Sequence, residues 1–134
     1  MEKIYSKVDP AKLLHIINRR DDIKGRENII PGQEFLQVAS LKLNKNQTFK
    51  AHKHIPFEKN TQMTQESWVV IQGSVKAMLY DLDDSILAEP VLKPGDCSIT
   101  LYGGHNYESL EEDTLVYEYK TGPYFGIEND KVFL

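Results

Sequence analysis

Glu66-Ser67-Trp68-Val69-Val70-Ile71-Gln72-Gly73-Ser74-Val75-Lys76-Ala77-Met78-Leu79-Tyr80 is the stretch on which the fold turns. Ser67 to Ile71 is rich in β-branched and aromatic residues, which fit a pleated, half-buried surface. Gly73 breaks that run. Val75, Ala77 and Leu79 then alternate with Ser74, Lys76 and Met78, the pattern of a strand with one buried face. Downstream, Asp81 to Asp84 predicts a tight acidic turn at a solvated hairpin tip, and Ile86 to Leu92 another strand. The turn Lys93-Pro94-Gly95-Asp96 leads into Ser98 to Tyr102, and Gly103-Gly104 into His105 to Leu110, with Thr114 to Lys120 last. Upstream, Phe35 to Leu43 and Thr48 to Ile55 read as strands separated by the turn Asn44-Lys45-Asn46, and Pro56 to Gln65 as a polar loop. Short strands joined by Gly, Pro and Asp turns predict an all-β sandwich or barrel.

The two ends read differently. Asp9 as N-cap and Pro10 at the first helical position, followed by Leu13, Leu14, Ile16 and Ile17, predict a short N-terminal helix that stops by Gly25. His15 falls on that helix as a surface or packing residue. The tail from Gly122 carries Pro123, Tyr124, Phe125, Val132 and Phe133, which predict packing back onto the body or onto a partner chain. The 134 residues fit a single domain: a helical extension over about 1–30, a barrel over about 33–121 and a tail over 122–134.

Composition narrows the function. With 40% hydrophobic and 27% charged residues the chain can bury a core. A net charge of −4 without a basic block argues against nucleic acid as a partner. Cys97 is the only cysteine, so no internal disulfide forms, as suits a reducing compartment, and the residue reads as a small buried one after a turn. No apolar stretch has the length of a signal-peptide core or a membrane span, so a cytoplasmic location and no membrane partner are expected.

Three histidines and a carboxylate carry the chemistry. His52 and His54 lie two apart in a predicted strand and so share a face. Glu66 opens the next predicted strand and His105 a later one. A barrel brings such positions to one interior spot. Three imidazoles and one carboxylate suit a divalent metal (Fe, Mn, Ni or Zn) with positions open for water or a small-molecule ligand. Glu58, Gln62 and Gln65 in the loop, with Tyr107, are the candidate ligand contacts. Glu58 and Glu118 are candidate bases, and Tyr117 and Tyr119 further hydrogen-bonding groups.

On these residues the chain resembles the cupin superfamily. The first cupin motif pairs His-X-His with a Glu and a Gly that have six residues between them; here these are His52-Lys53-His54, Glu66 and Gly73. The second is a Pro-Gly-Asp turn leading to a His; here Pro94-Gly95-Asp96 and His105. The resemblance spans roughly Leu36 to Lys120. It implies a jelly-roll barrel, a metal held by His52, His54, Glu66 and His105, and a homodimer. Asn46 and Ser109 replace the usual Gly and Asn, the second motif is one residue short and lacks its Pro before the His, and the gap from His54 to Glu66 is long. Glu58 stands at the usual spacing after His54, but no Gly follows it at the right distance, so Glu66 is preferred.

The segments His54-Ile55-Pro56-Phe57-Glu58, Thr64-Gln65-Glu66, Gly103-Gly104-His105-Asn106-Tyr107 and Thr121-Gly122-Pro123-Tyr124 resemble small single-domain bacterial cupins associated with surface polysaccharide or sugar-nucleotide pathways. That similarity implies a metal-dependent protein acting on or binding a small polar molecule such as a sugar derivative, in the manner of an isomerase or epimerase. A non-catalytic ligand-binding cupin, a cupin whose metal is structural and an iron-dependent dioxygenase are the alternatives.

Overall fold

A computed structural model describes all residues from Met1 to Leu134. The chain is all-β, with eleven strands and only two three-residue 3₁₀ turns, Arg20–Asp22 and Ile127–Asn129. The strands are β1 (Glu2–Tyr5), β2 (Leu13–Asn18), β3 (Glu27–Asn28), β4 (Ala39–Ser40), β5 (Glu66–Gln72) and β6 (Val75–Tyr80), followed by β7 (Ile86–Ala88), β8 (Val91–Leu92), β9 (Cys97–Thr100), β10 (His105–Ser109) and β11 (Leu115–Lys120). One antiparallel sheet runs β1-β2-β9-β5-β11. A second runs β10-β6-β7, with β8 also paired to β6, and β3 and β4 form a separate two-stranded ribbon.

The two larger sheets face each other across a core of Ile17 and Val70 from the first and Val75, Ala77, Leu79 and Leu92 from the second. The first sheet is covered on its other face as well. There Ile16, Cys97, Ile99 and Leu101 pack with Ile29 and Ile30, flanked by Leu36 and Val38. Ile99 is fully buried in this second layer. Ile99→Val, which removes one methyl group, is expected to cost about 0.5–1.5 kcal/mol in a urea melt.

Double coverage explains why the N-terminal helix expected from the sequence is absent. A strand buried on both faces shows a continuous apolar run rather than an alternating one, and a short run of that kind does not distinguish strand from helix. Leu14 through Asn18 are all buried, because β2 is an interior strand between β1 and β9. Asp9 and Pro10 shape the turn of the β1–β2 hairpin instead of a helix cap. Lys12 N–H donates to the Asp9 carbonyl at 2.9 Å, and Ser6 N–H to the Lys12 carbonyl at 3.0 Å. Asp then Pro is equally the opening of a type I turn.

The acidic turn after β6 is exposed from Leu82 to Asp84, as expected, but Asp81 is not. Asp81 is buried and accepts hydrogen bonds from the Ser6 hydroxyl and from the backbone N–H groups of Lys7 and Leu82. Burial pushes its carboxyl upward, but these donors outweigh that and hold it below the ordinary carboxylate range. Asp81 thus fastens the N-terminal hairpin to the second sheet.

From β5 onward the elements follow the sequence expectations, except that the strand expected over Ile86 to Leu92 is split at Glu89-Pro90 into β7 and β8. Before β5 they do not. Of Phe35 to Leu43 only Ala39–Ser40 pairs, with Glu27–Asn28. Thr48 to Ile55 forms no strand, and residues 41–60 are exposed throughout. Alternation states which face a strand would bury, not which edge it would join. β10 and β11 each end a sheet and leave an edge open.

Candidate functional site

Glu66 and His105 come together between the sheets. Glu66 is the first residue of β5 and His105 the first of β10. Gly103 sets up the approach of the second strand: its φ is +78°, and a Cβ there would lie 2.5 Å from the Tyr80 carbonyl oxygen, so a side chain is excluded. His105 Nε2 stands 3.1 Å from Glu66 Oε1, which also accepts the indole N–H of Trp68 at 2.9 Å. The carboxylate is buried. Burial raises its pKa, but hydrogen bonding from His105 and its charge, with the Trp68 hydrogen bond, more than offset this and bring it below the ordinary value. His105 Nδ1 is buried and has no hydrogen-bond partner. A buried polar atom left unpaired is costly, and such an atom marks a position that an additional partner would satisfy.

The wall of the site is aromatic. Trp68 stacks on Tyr107 with centroids 4.1 Å apart and planes at 14°. The Tyr107 hydroxyl donates to Ser98 Oγ at 3.2 Å, and burial drives its pKa strongly upward, so it stays a neutral donor. Behind Gly103 lies His15, fully buried. Its Nε2 is 2.9 Å from the Tyr80 carbonyl, which can only accept, so the proton sits on Nε2. Its Nδ1 therefore accepts from the Thr100 hydroxyl at 3.1 Å.

The Glu66–His105 pair and the Trp68–Tyr107 stack border a cavity of about 670 Å³. Glu66, Trp68, His105, Tyr107, Glu118 and Gln62 line it, and the tail from Asn129 to Leu134 forms one side. The end of the tail thus lies along the body, but the apolar residues that suggested packing, Tyr124, Phe125, Val132 and Phe133, stay exposed. A second hollow of about 450 Å³ is lined by Glu34, Gln62, Gln65 and Tyr102 among others.

The candidate residues divide into groups. Glu66, His105, Tyr107 and Gln62 share the main cavity. His52 and His54 stay with each other, ring centroids 5.4 Å apart, on the exposed segment before β5, and His52 Nδ1 is 3.0 Å from the Lys50 carbonyl. No group of three or more His, Cys, Asp or Glu side chains is close enough to hold a metal ion. The donor set suits a divalent ion in its chemistry, but in this structure it exists as two separate pairs. Glu58 is exposed and lines neither cavity. Gln65 is buried, accepting from Leu36 N–H at 2.9 Å and donating to Glu34 at 2.5 Å, and it borders the second hollow only. Tyr117 and Tyr119 project from β11 away from the cavity and are exposed.

Two contributors escape a sequence reading. Trp68 had a usable signal, since it is two residues from Glu66 and must share its face. His15 had none once its strand was read as a helix. Cys97 is structural: its thiol is buried 3.2 Å from Ser67 Oγ, and burial pushes its pKa up, away from the thiolate a nucleophile requires. No helix is long and apolar enough to cross a membrane. Comparison with family models, with curated proteins and with solved structures finds no match to this chain.

Proposed function

We propose that this chain is a cupin-type jelly-roll protein whose cavity takes a small polar molecule, such as a sugar derivative, beside a divalent metal held by His52, His54, Glu66 and His105. The observation that carries the reading is the pairing of buried Glu66 with His105 at the border of a cavity, with His105 Nδ1 buried and lacking a partner. An ion of this kind would supply Lewis acidity at the cavity wall. Completion of the ligand set requires the segment Thr48 to Ile55 to leave its exposed course and approach His105; the open edge of β10, which begins at His105, offers it a place to pair. The exposed Phe49 and Ile55 in that segment favour such pairing, because each gains by losing contact with water.

The chain's own groups fit a polar guest. Trp68 offers an aromatic surface, Asn106 and Gln62 offer amides, and Glu118 is the candidate base that borders the cavity. An isomerase or epimerase uses such a base to move a proton next to a polarised carbonyl. A cytoplasmic homodimer belongs to the same proposal, supported by the lone cysteine and by the exposed Leu115, Tyr117 and Tyr119 on β11.

Elemental analysis of the purified chain tests the metal. Near-stoichiometric Fe, Mn, Ni or Zn is expected, lost from His52→Ala and His105→Ala with the circular dichroism spectrum retained. Failure to take up any of the four ions on reconstitution would remove the metal from the proposal.

A further inference from the structure

We infer that the tail over residues 127–134 is a strap that covers the cavity and must lift for a guest to enter. The inference rests on the cavity being the binding site proposed above. The strap is held at one point. Asp130 accepts from the Thr64 hydroxyl at 2.8 Å, beside the start of β5, and lies 3.4 Å from the Lys120 ammonium at the end of β11. Thr64 and Lys120 pull the Asp130 carboxyl below its ordinary range, so the anchor stays charged and engaged near neutral pH.

Beyond this anchor the tail runs along the cavity wall to Gly104. A Cβ on Gly104 would come within 2.6 Å of Leu134 Cδ1, so the residue just before His105 is bare where the tail crosses it. Lys131 is near enough to Glu66 for its charge to help lower the pKa of that carboxyl. The cover is nonetheless weakly held. Val132, Phe133 and Leu134 border the cavity and yet are 89%, 79% and 66% exposed. Little apolar area is therefore lost when the segment lifts, and one latch with few buried contacts places it at the low-stability end of the fold. Lids that exclude water from a site are drawn from such segments.

Trp68 is the only tryptophan and it lines this cavity, so its fluorescence reports the cover directly. The probe is acrylamide, with the full-length metal-free chain. Asp130→Ala and Thr64→Val, which cut the latch from opposite sides, are each expected to raise the quenching constant about two-fold or more with an unchanged melting curve. A Gly104→Cys, Leu134→Cys pair, oxidised to a disulfide, is expected to lower it below the value of the same protein reduced. Equal quenching in wild type, both latch variants and the two redox states would overturn the strap. The readout needs neither metal nor guest, so metal uptake can fail while the strap stands, and the reverse.

Discussion

His15→Ala is expected to destabilise the fold by about 3–5 kcal/mol, a large share of the roughly 5–15 kcal/mol that holds a domain together. Two costs add. Deleting a fully buried ring leaves a cavity between the sheets, and the Tyr80 carbonyl and Thr100 hydroxyl lose their partner in a place water does not reach. Urea denaturation measures the loss; a change under about 1 kcal/mol would mean the site collapses or floods without penalty. The same residue gives the fold a pH signature. Burial lowers the His15 pKa from 6.5, against a smaller upward pull from its bond to Tyr80. The unfolded chain therefore takes up a proton at a pH where the folded chain does not. Stability from this group is complete above about 6.5 and declines as pH falls toward the depressed folded value. His15→Asn should remove that slope. The carboxylates Glu66, Asp81 and Asp96, all lowered, add a second decline at more acidic pH, through the same sign of linkage.

Glu66→Gln is expected to weaken divalent-metal affinity by about 100-fold or more, since even residues outside the ligand set cost 10–100-fold when replaced. Glu58→Gln should leave affinity within about two-fold of wild type, because Glu58 is exposed and apart from His105. Isothermal titration with Zn²⁺ and Mn²⁺ separates the two. The reverse ranking would assign the carboxylate to the segment before β5.

The sequence carried the second half of the fold better than the first. Strands from Glu66 onward alternate, or are short and bounded by Gly73, Pro94-Gly95 and Gly103-Gly104, so pattern and punctuation agree. β2 hides because both of its faces are buried. Asp81 hides because a carboxylate in a four-residue acidic turn resembles a solvated one until the chain 75 residues earlier is seen to donate to it. At the site, pairing Glu66 with His105 required only that two strand starts meet. Joining His52 and His54 to them depends on which edge a strand selects, and local alternation contains no such information.

The order β1-β2-β9-β5-β11 has a consequence for how the chain is made. Asn18 pairs with Cys97, so the β2–β9 seam of the sheet joins segments that are far apart in the sequence. At about 5–20 residues per second, β9 leaves the ribosome about 4–16 s after β2. Through that interval the β1–β2 hairpin shows its apolar faces and an unpaired edge to the crowded cell. Nascent chains halted before Cys97 are therefore the form most exposed to aggregation and to chaperone capture, and refolding of the complete chain from denaturant is slow because its decisive pairing is so far apart in sequence.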